Sequence, residues 1–162
     1  MSIARARAAL ALLAALAAAA PAARAVLGED AASIQGDALR VQGQRRMAAA
    51  ATAVAAAGVQ VHVIEQADGS TIREYVSAAG VVFAVAWNAR NKPRLDELFG
   101  RHYADYAAGA RQVMARHPGA LHGAVVEQGD LVVQASAYLN RHVGRAWLRS
   151  QVPAGWTPDA LR

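Results

Sequence analysis

Residues 59–88, VQVHVIEQADGSTIREYVSAAGVVFAVAWN, constrain the fold more than any other stretch of the sequence. Within residues 59–66 valine alternates with polar residues, which is the period of two of a strand with one buried face. An Asp68-Gly69 pair then indicates a tight hairpin, because both residues tolerate positive φ. Residues 71–77 alternate again, and residues 81–87 are apolar on both faces, as in a covered, central strand. The stretch predicts three antiparallel strands.

Helical patterns lie on both sides of this sheet. Asp30 can cap a helix over residues 31–46, which carry a thin apolar stripe of Ile34, Ala38 and Val41. Residues 47–57 are almost pure alanine and either continue that helix to Gly58 or form a low-complexity insertion; we favour the helix.

The best-marked helix follows the sheet. Its apolar residues recur at spacings of three and four: Leu95, Leu98, Phe99, Tyr103, Tyr106, Ala110, Val113 and Met114. Gly100 and Gly109 either mark close packing or divide this helix. Residues 123–128 and 131–139 flank a Gln128-Gly129-Asp130 turn and predict a second hairpin. A short strand over 144–149 is expected to follow it.

These elements predict an α+β domain. We expect an antiparallel β-sheet of about six strands in two hairpin or meander sections, with an N-terminal helix and a long central helix packed on one face. One domain is expected over residues 26–155, including a helical alanine-rich stretch at 47–57, and residues 156–162 are expected to form an irregular C-terminal tail.

The first 25 residues have the pattern of a secretory signal peptide. Arg5 and Arg7 precede an apolar run over residues 8–20, and Ala23-Arg24-Ala25 forms a small-x-small cleavage site. An ordinary alanine-rich helix or a membrane anchor is the alternative, but the run is too short to span a bilayer comfortably. We therefore predict a periplasmic or secreted protein, cleaved near Ala25, without a transmembrane segment after signal removal.

Charge and cysteine content exclude several classes of function. Removal of residues 1–25 lowers the formal charge from +5 to +2. The remaining arginines are scattered, whereas nucleic-acid binding needs a basic face, so no nucleic-acid partner is expected. The sequence contains no cysteine, which excludes disulfides, a thiolate nucleophile, a zinc–thiolate site and a lipoprotein anchor.

Few residues form a pattern that could carry chemistry. His102 and Asp105 share a face at i and i+3, but a metal site needs at least a third ligand and no His-Glu-x-x-His pattern occurs. Neither a serine elbow nor a phosphate-binding glycine loop is present. We predict no catalytic residue, no cofactor site and no metal site.

One set of residues could form a binding surface. Arg73 and Tyr75 project from the same face of their strand, and Arg145 and Trp147 alternate in the same way near the C-terminus. If the two sections were neighbours, guanidinium and aromatic groups would share a surface suited to a carboxylate or a glycan. Stacking across strands explains the same residues and is the favoured interpretation.

Several motifs resemble those of a bacterial exported family, the domain of unknown function 2844. They are REYVS at 73–77, GVVFAVAW at 80–87, the Leu95-x-x-Leu98-Phe99-Gly100 segment, and GRAWL at 144–148 with PAG at 153–155. The resemblance covers residues 27–155. It implies export and a small single domain, and it supplies no activity.

Three hypotheses for function remain open. The favoured one is a non-enzymatic binding domain that takes an unknown envelope protein or a small ligand on the wet face of its sheet. The second is a hydrolase or isomerase with a dispersed site that uses His62 or His142 with Tyr75 or Glu74. The third is a structural or assembly component of the cell envelope that docks through residues 47–57.

Overall fold

Seven antiparallel strands form a single sheet in the computed structural model, which describes residues 27–31, 43–47, 58–118 and 123–161. The strands are β1 (Gly43–Met47), β2 (Gln60–Gln66), β3 (Thr71–Val76), β4 (Val82–Ala89), β5 (Gly123–Gln128), β6 (Leu131–Tyr138) and β7 (Arg141–Leu148). Their order across the sheet is β1-β2-β3-β4-β7-β6-β5, so two meanders meet where β4 pairs with β7. The predicted α+β class and the antiparallel pairing are confirmed.

The predicted central helix is present but divided. It comprises α1 (Leu95–Phe99), a 3-10 turn (Gly100–His102) and α2 (Tyr103–Arg116). Gly100 has φ 47° and ψ −119°, a conformation that breaks the α-helical path and that other residues rarely adopt. Gly109 instead lies against the sheet, where a β-carbon would be 2.6 Å from Cγ1 of Val126. None of the described helices is both long and apolar enough to cross a bilayer.

The predicted N-terminal helix is wrong where the structure describes it. Gly43–Met47 is a strand, β1, that pairs with β2 from Gly43↔Gln66 to Met47↔His62. Pairing with β2 satisfies backbone groups that would otherwise form an open sheet edge, whereas Gly43 weakens a helix by about 1 kcal/mol relative to alanine. The rest of that helix and the alanine-rich stretch, residues 32–42 and 48–57, lie outside the described residues.

One side of the sheet, here called the helix face, is covered by α1 and α2. Its core combines buried residues from the strands and from α1: Ile64, Ile72, Val76, Val82, Val85, Trp87, Leu98, Phe99, Val126, Leu131, Val133, Ala146 and Leu148. On α2, Tyr106, Ala110 and Val113 pack against this core. The predicted stripe is confirmed for these three residues, whereas Tyr103 and Met114, which the same spacing assigned to it, are 40% and 39% exposed.

Among the described residues, the other side of the sheet, here called the open face, is covered at one end only. The cover is the C-terminal segment 152–161, whose Trp156 and Leu161 are 7% and 5% exposed. They pack on a second cluster of buried residues: Val59, Val61, Val63, Tyr75, Phe83, Ala84, Ala86, Val132 and Trp147. The predicted irregular tail thus contributes two core residues.

The segment 27–31 fixes the chain to the start of β4. Leu27 is completely buried in the helix-face core, and its N–H donates to the carbonyl oxygen of Leu98 at 3.1 Å. Gly28 N–H donates to Val82 O at 2.7 Å, and Val82 N–H donates to Glu29 O at 2.9 Å. Residues next to the predicted cleavage site therefore belong to the folded domain.

Candidate functional site

The four residues predicted as a possible binding surface occupy two adjacent rows of the open face. Arg73 and Arg145 lie opposite Ala86 from its two sides, since β4 runs between β3 and β7. Tyr75 and Trp147 flank Ala84 in the same way. The two sections of the sheet are therefore neighbours, and guanidinium and aromatic groups share one face. Within each row the backbones of the two residues are two strand spacings, or about 10 Å, apart.

The aromatic pair is buried beneath the C-terminal segment. Tyr75 and Trp147 are 3% and 7% exposed. The ring of Trp156 stands perpendicular to that of Phe83, with centroids 4.9 Å apart, and meets Tyr75 edge-on at 6.4 Å. This edge-to-face geometry is the favoured one for aromatic pairs in a core. Tyr75 and Trp147 therefore offer no ring face to a ligand.

Arg145 is tied to its surroundings by its own side chain. Its Nε donates to Oε1 of Gln134 at 2.8 Å, and its Nη1 donates to the carbonyl oxygen of Pro158 at 2.8 Å. Nη2 also lies 3.9 Å from a carboxylate oxygen of Asp159. Arg145 thus joins the sheet to the C-terminal 3-10 turn (Pro158–Ala160).

The uncovered part of the open face forms a groove of about 580 Å³. Polar side chains line it at Arg73, Asn88, Gln134, Ser136 and Arg145, and apolar ones at Ala86, Val125, Val143 and Leu161. Val125 and Val143 are 50% and 45% exposed and leave apolar surface in the groove. The volume lies within the range of small-molecule sites.

Arg73 differs from Arg145 because no described residue holds its guanidinium by a hydrogen bond or an ion pair. Its guanidinium forms neither a hydrogen bond nor an ion pair with any residue that the structure describes, and it is half-buried at one end of the groove. A desolvated, uncompensated guanidinium attracts anions, and its planar fork fits a carboxylate with two parallel hydrogen bonds. Sequence reasoning named Arg73 but could not distinguish it from Arg145.

The residues of the hypothetical hydrolase or isomerase site are spread over both faces. His62 and Glu74 are cross-strand neighbours on the helix face and are buried, at 3% and 0% exposed. Tyr75 projects to the open face. His142 is on β7, where it pairs with Ala89 of β4 and Ala137 of β6. The fold brings His62 and Glu74 together and leaves Tyr75 and His142 apart from them.

His102 and Asp105 do face each other on the first turn after α1. The imidazole Nδ1 lies 4.0 Å from a carboxylate oxygen of Asp105, and Nε2 accepts a hydrogen bond from Arg101 Nε at 3.3 Å. Burial and the adjacent Arg101 charge together hold the pKa of His102 below its usual value. Over the described ranges, no three His, Asp or Glu side chains are arranged to hold a metal ion.

A smaller cavity of about 210 Å³ opens on the helix face beside α1. Three carboxylates line it: Glu74 is completely buried, Asp68 accepts from the Ser70 N–H at 2.8 Å, and Glu97 pairs with Arg94 at 3.2 Å. The Ser70 bond is the main reason that the pKa of Asp68 is lowered. Asp68 thus stabilises a turn and Glu97 the start of α1, and both carboxylates already have partners.

Comparison with protein-family models finds one match, over residues 23–161: "Protein of unknown function (DUF2844)". The match spans the whole sheet, both helices and the C-terminal cover. The chain belongs to this family. Comparison with curated proteins and with solved structures found no match. The family therefore supports the resemblance seen in the motifs and leaves function to be argued from the groove.

Proposed function

We propose that this protein is an exported binding domain that holds a small carboxylate with an apolar body in the groove of the open face. The observation that carries the proposal is the position of Arg73, a cation without a partner in the described chain, at one end of a largely apolar groove. The aromatic recognition of a glycan is less favoured, because Tyr75 and Trp147 are covered.

Arg73 supplies the anion-binding half of the site. Its strand neighbours across the sheet are Val63 and Ala86, which bring no carboxylate to its side. Arg145, two strands away, donates to Gln134 and Pro158 and so leaves less of its charge available. A ligand carboxylate placed beside Arg73 would gain charge-assisted hydrogen bonds in a partly desolvated setting.

Val125 and Val143 supply the apolar half. They lie on the open face, on β5 and β7, in adjacent rows that also contain Gln134 and Ser136. Covering their exposed methyl groups with a ligand removes apolar surface from water, at about 25 cal/mol per Å². The polar neighbours can orient the ligand, so the groove combines an apolar floor with few polar groups, as in ordinary small-molecule sites.

The test compares acids with their amides. The ¹⁵N-labelled protein is titrated with cinnamate and with decanoate, each against its uncharged amide, and backbone shifts are followed in β3, β5 and β7. We expect the acids to shift residues of the groove and to bind about tenfold more tightly than the amides. Equal binding of acid and amide, or no shift in the groove with either acid, contradicts the proposal.

Arg73→Met isolates the charge, because it retains an unbranched apolar stem. The variant should lose the preference for acid over amide while it retains weak binding of the apolar body. The matched control is Arg141→Met, which removes a cation of the same face outside the groove lining. A control that loses the preference to the same extent would indicate general electrostatic attraction and not a site.

Export is the second part of the proposal. It is supported by the leader pattern of residues 1–25 and by the complete burial of Leu27, since cleavage after Ala25 would leave the anchoring segment 27–31 intact. Expression of the full chain in a bacterial host, followed by fractionation and N-terminal sequencing, should give an envelope or secreted product that starts at Val26. An unprocessed cytosolic product would contradict it.

A further inference from the structure

The tip of the β6–β7 hairpin exposes two large apolar side chains. Tyr138 and Leu139 are 75% and 86% exposed, more than any other large apolar residue that the structure describes. Asn140 completes the tight connection between the strands. The convex tip therefore exposes apolar surface to water, and no other described residue covers it.

Leu139 is also conformationally unfavourable where it stands. Its φ is 51°, and every other described residue with positive φ is a glycine. A leucine in this region strains its β-carbon, whereas asparagine or glycine would not. Strain and exposure therefore both act against leucine at this position, and neither is offset by packing within the described domain.

The hairpin around the tip carries basic side chains and no acidic ones. Leu131–Leu148 contain Arg141, Arg145 and His142 but neither aspartate nor glutamate. Arg141 lies directly opposite Tyr138 on the open face. Because Arg145 is held by Gln134 and Pro158, Arg141 is the cation available at the tip.

We propose that this hairpin tip docks reversibly on anionic phospholipid membranes. Leucine reaches the boundary of the acyl chains, tyrosine favours the headgroup level, and an arginine beside them contacts phosphate. The lack of any acidic side chain in the hairpin removes the repulsion that an anionic surface would otherwise exert. A membrane also accommodates a convex tip without a preformed pocket, which a protein partner would have to provide.

Co-sedimentation of the purified protein with sucrose-loaded vesicles tests the proposal. One set contains phosphatidylcholine alone and the other phosphatidylcholine with phosphatidylglycerol, each at low and at high salt. We expect binding to the anionic vesicles at low salt and little binding to the neutral ones. Binding to neither set, or equal binding to both at every salt concentration, overturns the proposal.

Variants at the tip separate insertion of the Leu139 side chain into the membrane from electrostatic attraction of Arg141 to the lipid headgroups. Leu139→Asn relieves the backbone strain, so a loss of binding in a fully folded variant cannot be ascribed to misfolding; we expect binding to fall about tenfold. Leu139→Met keeps the apolar chain and should bind like the wild type. Arg141→Gln should reduce binding about fivefold at low salt, with a smaller effect at high salt.

The matched control is Met114→Ala, which removes an exposed apolar side chain, 39% exposed, from the outer side of α2. It should leave vesicle binding unchanged. Unchanged binding of Leu139→Asn would overturn the proposal. A second result would also overturn it: the protein binds native envelope membranes, protease pretreatment of those membranes abolishes this binding, and pure lipid vesicles bind nothing. The tip would then be docking on a protein.

Discussion

Arg145 Nη1 donates a 2.8 Å hydrogen bond to the carbonyl oxygen of Pro158 and so holds the C-terminal turn on the open face. The same guanidinium donates to Gln134 on the neighbouring strand. Arg145 thus serves the fold, whereas Arg73, in the same row of the sheet, has no such partner among the described residues. Two arginines that look alike in sequence therefore have different surroundings.

Replacing Arg145 should loosen the C-terminal cover. Arg145→Met removes both hydrogen bonds and should lower the free energy of unfolding by about 1–2 kcal/mol. Amide hydrogen exchange should accelerate in residues 156–161, measured by mass spectrometry. Arg73→Met is the matched control and should change stability by less than about 0.5 kcal/mol. Equal exchange in the two variants would contradict a fastening role for Arg145.

Trp156 should be the main apolar contribution of the C-terminal segment. Trp156→Ala removes a side chain that is 7% exposed and packs on Phe83, and it should lower the free energy of unfolding by about 3–5 kcal/mol in urea denaturation. Thr157→Ala, at the exposed neighbouring position, provides the control. A loss below about 1 kcal/mol would show that the segment does not cover a core.

Gly144 should tolerate no side chain. A β-carbon at this position would overlap the ring of Trp87 and crowd the carbonyl oxygen of Gln134, so Gly144→Ala should cost about 1–3 kcal/mol of stability. Gly123→Ala, on β5, is the matched control because nothing lies within 4 Å of its added carbon. Thermal unfolding of both variants measures the difference, and equal melting temperatures would contradict the packing described.

His102 should make stability depend on pH. Burial and the Arg101 charge lower its pKa in the folded state, against the opposing charges of Asp105 and Asp130. Protonation therefore favours the unfolded chain, whose histidine has the ordinary value of 6.5. The stabilising contribution is fully present above pH 6.5 and is lost as the pH falls through the lower pKa of the folded state.

His102→Gln should reduce this loss, measured as the difference in free energy of unfolding between neutral and mildly acidic buffer. His117→Gln, at the exposed end of α2, is the control for a change of histidine content. An identical pH dependence in the wild type and in His102→Gln would rule out the contribution.

Leu139→Asn should stabilise the protein. Asparagine tolerates the positive φ that strains leucine, and the gain should be about 1 kcal/mol. Urea denaturation measures it, with Tyr138→Ser as the control at the adjacent exposed position. Unchanged or lower stability would mean that the turn does not strain Leu139.

Local patterns predicted most of the sheet. The alternation in β2, β3 and β6 and the turns at Asp68-Gly69 and Gly129-Asp130 act between neighbours in sequence, so the strands and their hairpins could be identified. β1 was missed because Gly43–Met47 contains no apolar alternation and becomes a strand only by pairing with β2. Edge pairing of this kind is decided by tertiary context.

The site could be predicted only in part. The period of two placed Arg73 with Tyr75 and Arg145 with Trp147, and the structure puts all four on one face. The sequence could not show that Trp156 and Leu161 cover the aromatic pair, because these two side chains follow no periodicity. The C-terminal cover buries Tyr75 and, within the described part of the chain, gives Arg73 no partner.

The β4–β7 ladder alone joins the two meanders within the described chain, and its partners are distant in sequence: Ala84 and Trp147 are 63 positions apart. Closing so long a loop costs entropy before any contact compensates for it, which favours slow folding. The sheet also cannot be completed until β7, the last of the described strands in the chain, has left the ribosome. The edge of β4 that pairs with β7 therefore stays open after the first meander has been synthesised, and only that last described strand closes it.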